Sequence, residues 1–445
     1  MTASFLQVQI SLLIGIALII VLTAKYKVHA FFALLLACFV VGFGVQMPVA
    51  DTINAVKDGF GSIMKSLGLL IVLGTTLGVL LEHTGSTRVM AAWILKKTGP
   101  RHAALAMSIT GFIVGLPIFC DSGYIVLSGL NRSMAKRTGI SKVIMSICLA
   151  TGLLSVHCLI PPHPGAAAAA GVIGVDFGRL ILAGIAVAIP VMLVGYAWAN
   201  LAGKKIIITD DDFEEEHEEE TKQKQPSAIK AFLPVIAPIV LIAIKSFLVI
   251  DKQATGGWLN IFSSLGDPVI ALAIGVVFAF IAGNAWRKEA VGRLLQEAAE
   301  KAGGILVIIG AGGAFGAVLA ATKVGQHFSE AVPLGSIGIL FPFLLTFILK
   351  TAQGSSTVAI ITAASIVQPL LLPLGLNTDN GKLLCVLSMG AGSMMISHAN
   401  DAYFWVITKF SSLEMKTMLK VYSVATILMG ITALLMVYAL SFVLK

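Results

Sequence analysis

Residues Gly115 to Leu127, GLPIFCDSGYIVL, decide how the rest of the chain is arranged. Basic clusters flank this stretch on both sides, Lys96, Lys97 and Arg101 before it and Arg132, Lys136, Arg137 and Lys142 after it. Excess Lys and Arg marks loops on the cytoplasmic side of a membrane. A full crossing takes about 20 apolar residues, so His102 to Asn131 has room for one crossing and part of a second. A segment of that length that starts and ends on one side must enter the membrane and turn back. The spacing predicts a re-entrant hairpin over 103–131 with its turn at Cys120-Asp121-Ser122-Gly123. Non-helical backbone at depth is tolerated only where protein or a watery cavity covers it. A carboxylate there points to function.

The whole chain fits that reading. Its 445 residues are 57% hydrophobic and 12% charged, with a mean hydropathy of +0.93. A soluble domain has about 45–50% apolar and about 25% charged residues, so this is a polytopic all-α membrane protein. Nine of the 23 acids lie in the run Asp210–Glu220, so elsewhere 31 basic residues face 14 acids. That excess is a topology signal at the membrane surface and gives no nucleic-acid reading. The five cysteines lie in apolar segments without C-x-x-C spacing and read as free buried thiols.

Outward from the hairpin, apolar spans precede it at 5–23, 29–49 and 61–81, with an amphipathic piece at 86–98. A long segment, 141–175, follows it, broken at His157-Cys-Leu-Ile-Pro-Pro-His-Pro-Gly165, where adjacent prolines stop a continuous helix. The span 178–203 ends the first unit, 1–203. An acidic cytoplasmic linker, 204–229, divides the chain. The second unit, 230–445, repeats the order with spans at 231–250, 268–284 and 303–322, then a short piece at 323–335. A second hairpin, 336–376, is interrupted at Gln353-Gly-Ser-Ser-Thr357. A second broken helix, 382–410, is interrupted at Ser397-His-Ala-Asn-Asp401, and the last span is 421–443.

Each unit has five crossings and one hairpin, an odd number, so the second must insert upside down. Arg287, Lys288 and Arg293, then Lys409, Lys416 and Lys420, fall inside, and both termini fall outside. Inverted repeats with interrupted helices meeting at the midplane are the build of secondary transporters. A channel would show a continuous polar pore face. An intramembrane enzyme would need a nucleophile–base pair or a metal set, and two histidines without a thiolate or paired carboxylates make a poor one.

The four interruptions hold the candidate site. Half-helix ends offer N–H groups to anions and C=O groups to cations. Gly123 and Gly354 allow close backbone approach, and Ser122, Ser355, Ser356 and Thr357 offer hydroxyls. Asp121 and Asp401 are the two acids within interruptions and the candidates for carrying a coupled proton, since burial raises a carboxyl pKa. His157, His163, His398 and Asn400 are candidate ligands that can equally satisfy loose carbonyls. Lys350 either faces an anionic substrate or snorkels to the interface.

These segments carry a resemblance. GFIVGLPIFCDSGY at 111–124, VHCLIPPHPGAAA at 156–168, AQGSSTVAIITAA at 352–364 and SHANDAYFWVITKF at 397–410 resemble the gluconate permease family of proton symporters, within the ion-transporter superfamily. The resemblance implies uptake of a sugar acid with protons by an elevator movement, in a homodimer in the bacterial inner membrane, with no cofactor and no metal. Gluconate carriers tend to carry Glu where Asp121 stands and Arg where Lys350 stands, so glycerate, other aldonates and D-serine stay open. Sodium coupling is the alternative, because broken-helix carbonyls and serine hydroxyls suit sodium as well.

Overall fold

A sequence this apolar, without strand-like alternation, satisfies its backbone inside the bilayer by folding into helices. The computed structural model describes residues 4–204, 206, 225–250, 261, 264–283, 286, 288–324 and 334–444, and among them no strand occurs. Among the described residues six helices are long and apolar enough to cross a membrane. The chain is an all-α polytopic membrane protein.

In the first half, α1 (Phe5–Ile20, continued by a π turn to Lys25), α2 (Ala30–Gly44) and α3 (Val49–His83) are followed by the short α4 (Ser86–Thr98). An interrupted pair comes next, α5 (Ala103–Gly115) and α6 (Cys120–Thr138), then a second, α7 (Lys142–His157) and α8 (Pro164–Ile173). The long α9 (Phe177–Gly203) ends this half. In the second half, α10 (Ala228–Ile250), α11 (Pro268–Ala282) and α12 (Lys288–Ala321) precede the interrupted pairs α13 (Leu340–Gln353) with α14 (Ser356–Val367) and α15 (Asp379–Met394) with α16 (Ala402–Ser411). The long α17 (Met415–Val443) closes the chain. Most of the acidic linker, 207–224, and of the short piece at 323–335, along with Arg287, lies outside the described residues.

Two expectations need correction. The spans expected at 61–81 and 303–322 are the inner parts of the 35-residue α3 and the 34-residue α12. Charged residues ahead of each apolar run do not end a helix, since Lys, Glu, Ala and Gln are good helix formers. The polar start of α12 also has a Lys301–Glu297 pair at 2.7 Å on one face. The tip of the first hairpin is at Leu116–Phe119, four residues earlier than expected. Pro117 ends α5, and Cys120 to Gly123 form the first turn of α6, where Asp121 complements the positive helix end. Gly123 accordingly serves packing, since a Cβ there would lie 2.8 Å from Leu153 of α7.

The two long helices, α3 and α12, pack antiparallel. Gly59 and Gly313 meet at their crossing, where a Cβ on Gly313 would lie 2.7 Å from the Gly59 carbonyl oxygen. At the end of α3, His83 stacks on Trp286, just ahead of α12, with ring centroids 5.9 Å apart. Small residues let membrane helices approach this closely. Farther along, Gly74 and Gly78 of α3 face Pro162 and the Pro117 carbonyl. The core helix therefore runs beside both interruptions of the first half.

Candidate functional site

Four helix interruptions meet in the centre of the fold. In the first break, His163 places Nε2 2.6 Å from the carbonyl oxygen of Gly115 and its ring beside Phe119. The break between α7 and α8 thereby caps the end of α5 and holds the first tip. The His157 and His163 ring centroids are 4.8 Å apart. His157 Nε2 lies 3.5 Å from Thr357 Oγ1, in the first turn of α14. That contact joins residues 200 positions apart. Gly165, at the start of α8, packs on Thr357 and Ile360 of the same helix.

The second tip and second break touch directly. Gly354 has φ +86°, and a Cβ added there would run into the Asn400 carbonyl, leaving no space for a side chain. Only glycine is comfortable there. Asn400 Nδ2 donates to the carbonyls of Thr351 at 2.7 Å and Ala352 at 3.3 Å, and His398 Nε2 lies 3.3 Å from the Thr351 oxygen. These two side chains satisfy carbonyls left free where α13 ends. Ser355 caps α14 by accepting from the Val358 amide at 3.3 Å. Ser356 opens α14 beside Cys158.

The two carboxylates differ. Asp401 is buried and is fixed on both oxygens: Oδ2 accepts from Lys350 Nζ at 2.9 Å and from Ser397 Oγ at 2.5 Å, and Oδ1 accepts from the Tyr403 amide at 3.0 Å. Lys350 is 1% exposed, which rules out snorkelling. Its charge is met by Asp401 and leaves little for a substrate. Asp121 is exposed, with the Cys120 thiol donating to Oδ1 at 3.0 Å, so the expected burial of this carboxylate is not found. Pro117 sets the break early and turns Asp121 out on the helix end. Both carboxylates act electrostatically on His157. Ser122 is half-buried beside Asp121.

Several buried polar atoms around these contacts have no hydrogen-bond partner among the described residues. They are His157 Nδ1, Thr351 Oγ1, both ends of the Gln353 amide, and Asn400 Oδ1. An unpaired buried polar group costs about 1–3 kcal/mol, and here they gather where the second tip meets the two breaks. Gln353 and Thr351 are absent from the set expected from sequence. Gln353 stands in the quoted interruption, but a glutamine at a helix end carries no charge and no turn signal to mark it. Among the described residues no group of three His, Cys, Asp or Glu side chains could hold a metal ion.

A family model described as GntP family permease matches residues 7–443. The chain belongs to the GntP permease family. It is 33% identical to the gluconate permease of Pseudomonas aeruginosa over 97% of both chains. It is 31% identical to the D-serine transporter DsdX of Escherichia coli O6:H1, over 97% of this chain and 98% of the relative. Among solved structures it resembles the YdaH transporter of Alcanivorax borkumensis, with a TM-score of 0.60 at 15% identity over 93% of this chain and 97% of that one. At that identity the likeness concerns the fold. A GntP permease is a membrane transporter and not an enzyme.

Proposed function

We propose that this GntP permease imports a small hydroxylated carboxylate, gluconate or a related sugar acid, by proton symport across the bacterial inner membrane. One observation carries the reading: unpartnered neutral donors and acceptors, Gln353, Asn400, Thr351 and His157, gather at the start of α14. Helix starts favour anions through free N–H groups and the dipole, so the substrate carboxylate belongs at Ser355–Thr357. The neutral side chains suit a run of hydroxyls, each of which both donates and accepts. The gluconate permease and DsdX relatives bracket the substrate class, and this neutral set favours the sugar acid over an amino acid, because Asp401, the buried carboxylate, already has its cation.

The proton belongs on Asp121, the one of the two candidates whose charge no cation holds in a buried pair. A neutral carboxyl beside an arriving anion favours binding, and a charged one repels it, which is the coupling a symporter needs. The movement we propose is an elevator, in a homodimer, with the two halves as inverted repeats and both termini outside. Antiparallel packing of α3 and α12, which hold the same place in each half's order, supports the inversion. The seam between the first tip and α10 and α11 is lined by apolar residues such as Leu116, Pro117, Val235 and Leu272. Such a seam offers no hydrogen bond to break when one side slides.

The experiment is gluconate uptake into sealed vesicles with an imposed pH gradient, comparing wild type with Asp121→Asn. We expect the variant to exchange labelled for unlabelled substrate while losing accumulation. Accumulation by Asp121→Asn on a proton gradient would remove Asp121 from the coupling. Equal competition by the neutral amide of gluconate would end the anion reading.

A further inference from the structure

A lysine with its ammonium buried at membrane depth needs a reason, because such a charge is costly unless paired and hydrogen-bonded. Among the described residues Lys350 has one partner for that charge, Asp401 Oδ2 at 2.9 Å, and the pair joins the first arm of the second hairpin to the break between α15 and α16. The carboxylate has three donors, the ammonium, the Ser397 hydroxyl and the Tyr403 amide. Around it the chain is already anchored: the Ser397 amide donates to Thr426 Oγ1 at 3.1 Å and the Ser397 carbonyl accepts from Ser423. Other titratable groups facing the pair are Cys120, His157, Cys158 and Tyr422. None of these supplies a fixed positive charge.

A carboxylate and a hydroxyl at a helix break are oxygen ligands that suit a small hard cation in a carrier. Here that place is taken by an ammonium on a four-carbon stem. We propose that Lys350 is a tethered cation filling a seat made by Asp401 and Ser397, so that the carrier takes no sodium there. This rests on the transport reading above and deepens it: it assigns the ion choice to one residue and sets Asp401 aside as a proton carrier.

The inference separates from a plain structural ion pair through cation rescue. Removing the ammonium alone leaves a buried carboxylate uncompensated, and a free cation that fits the seat should replace it. Removing both charges should leave nothing for a cation to bind. The test uses the purified full chain, melted in sodium, methylammonium or choline chloride at one ionic strength. Gluconate counterflow at equal pH on both sides is read in parallel, so that no proton gradient enters.

We expect wild type to melt and exchange alike in sodium and choline. Lys350→Ala should melt lower and lose exchange in choline, with a saturable recovery in sodium or methylammonium. The double variant Lys350→Ala/Asp401→Asn should fold and be indifferent to all three. Saturable stabilisation of wild type by sodium would overturn the proposal, as would a Lys350→Ala variant that behaves alike in every salt. If Lys350→Ala does not fold in choline, it is purified in methylammonium throughout. Failure there, with the double variant folded, would reduce the pair to structure and sink the seat. Absence of gluconate counterflow in wild type would refute the substrate reading and leave the melting comparison to judge Lys350 by itself.

Discussion

Replacing Gln353 by Met should push stability and affinity in opposite directions. Both ends of the Gln353 amide are buried without a partner. Met keeps the length of the side chain, is unbranched, and carries a soft thioether that needs no hydrogen bond. Removing an orphaned amide relieves up to about 2 kcal/mol in the empty protein, within the usual cost of an unsatisfied buried group. The loaded protein loses up to two hydrogen bonds, each about 1 kcal/mol to a hydroxyl and about 1.5–3 kcal/mol to a charged group. A total near 2–4 kcal/mol corresponds to a roughly 30- to 700-fold weaker Kd. Thermal melting of the detergent-solubilised protein, with and without saturating gluconate, reads both effects. The substrate-free variant should melt above wild type, and its shift on adding gluconate should shrink. A variant that melts lower when empty and binds gluconate as tightly as before would show that Gln353 supports the fold and does not meet the substrate.

Three further perturbations follow from single contacts. Gly354→Ala places a side chain at φ +86° against the Asn400 carbonyl, so beyond the left-handed cost of about 1–2 kcal/mol it pushes the second tip off the break; uptake should be lost. Wild-type rates in vesicles would contradict that. Gly78→Val adds bulk where even a Cβ would lie 2.9 Å from the Pro117 oxygen, at an overpacking cost of about 1–3 kcal/mol; the maximal uptake rate should fall with substrate Kd kept. An unchanged rate would mean that this contact does not move during transport. Lys136→Cys stands exposed near the end of α6, and all five native cysteines are buried. An impermeant thiol reagent should therefore label it only from the cytoplasmic side, and labelling of intact cells from outside would reverse the topology.

Much of this architecture is legible in the sequence, because the bilayer imposes one rule on every segment. Apolar length gives crossings, and Pro161, Pro162, Pro164 and Gly354 give breaks, since each removes a donor or demands a backbone that a helix cannot supply. The sequence could not say which side of Asp121 the first tip lies on. Pro117 and Cys120-Asp121-Ser122 are both break signals, and in the fold α6 starts at Cys120, which leaves the break at Pro117. The true starts of α3 and α12 were hidden because charge was read as loop. Within the site, the sequence leads only to a convergence of four interruptions; that His157 meets Thr357 and Gly354 meets Asn400 appears in the packing. The Lys350–Asp401 pair joins positions 51 apart and has no local signature. Gln353 escaped for the opposite reason: its importance lies in bonds it does not make, which only three-dimensional packing reveals.

The contact between His157 and Thr357 also bears on how the protein is made. Its two sides are synthesised 200 residues apart, and α3 must likewise wait for α12 to cover the glycine at Gly59. When the ribosome has released the first half, the surface that will pack against α12 and α14 is still uncovered. His157, Gly165 and the start of α8 then face lipid or a chaperone. The first half by itself therefore has an unfinished inner face until α12 and α14 arrive. Two polypeptides cut within the acidic linker meet the same requirement, so each should be degraded alone and rescued by expression of the other.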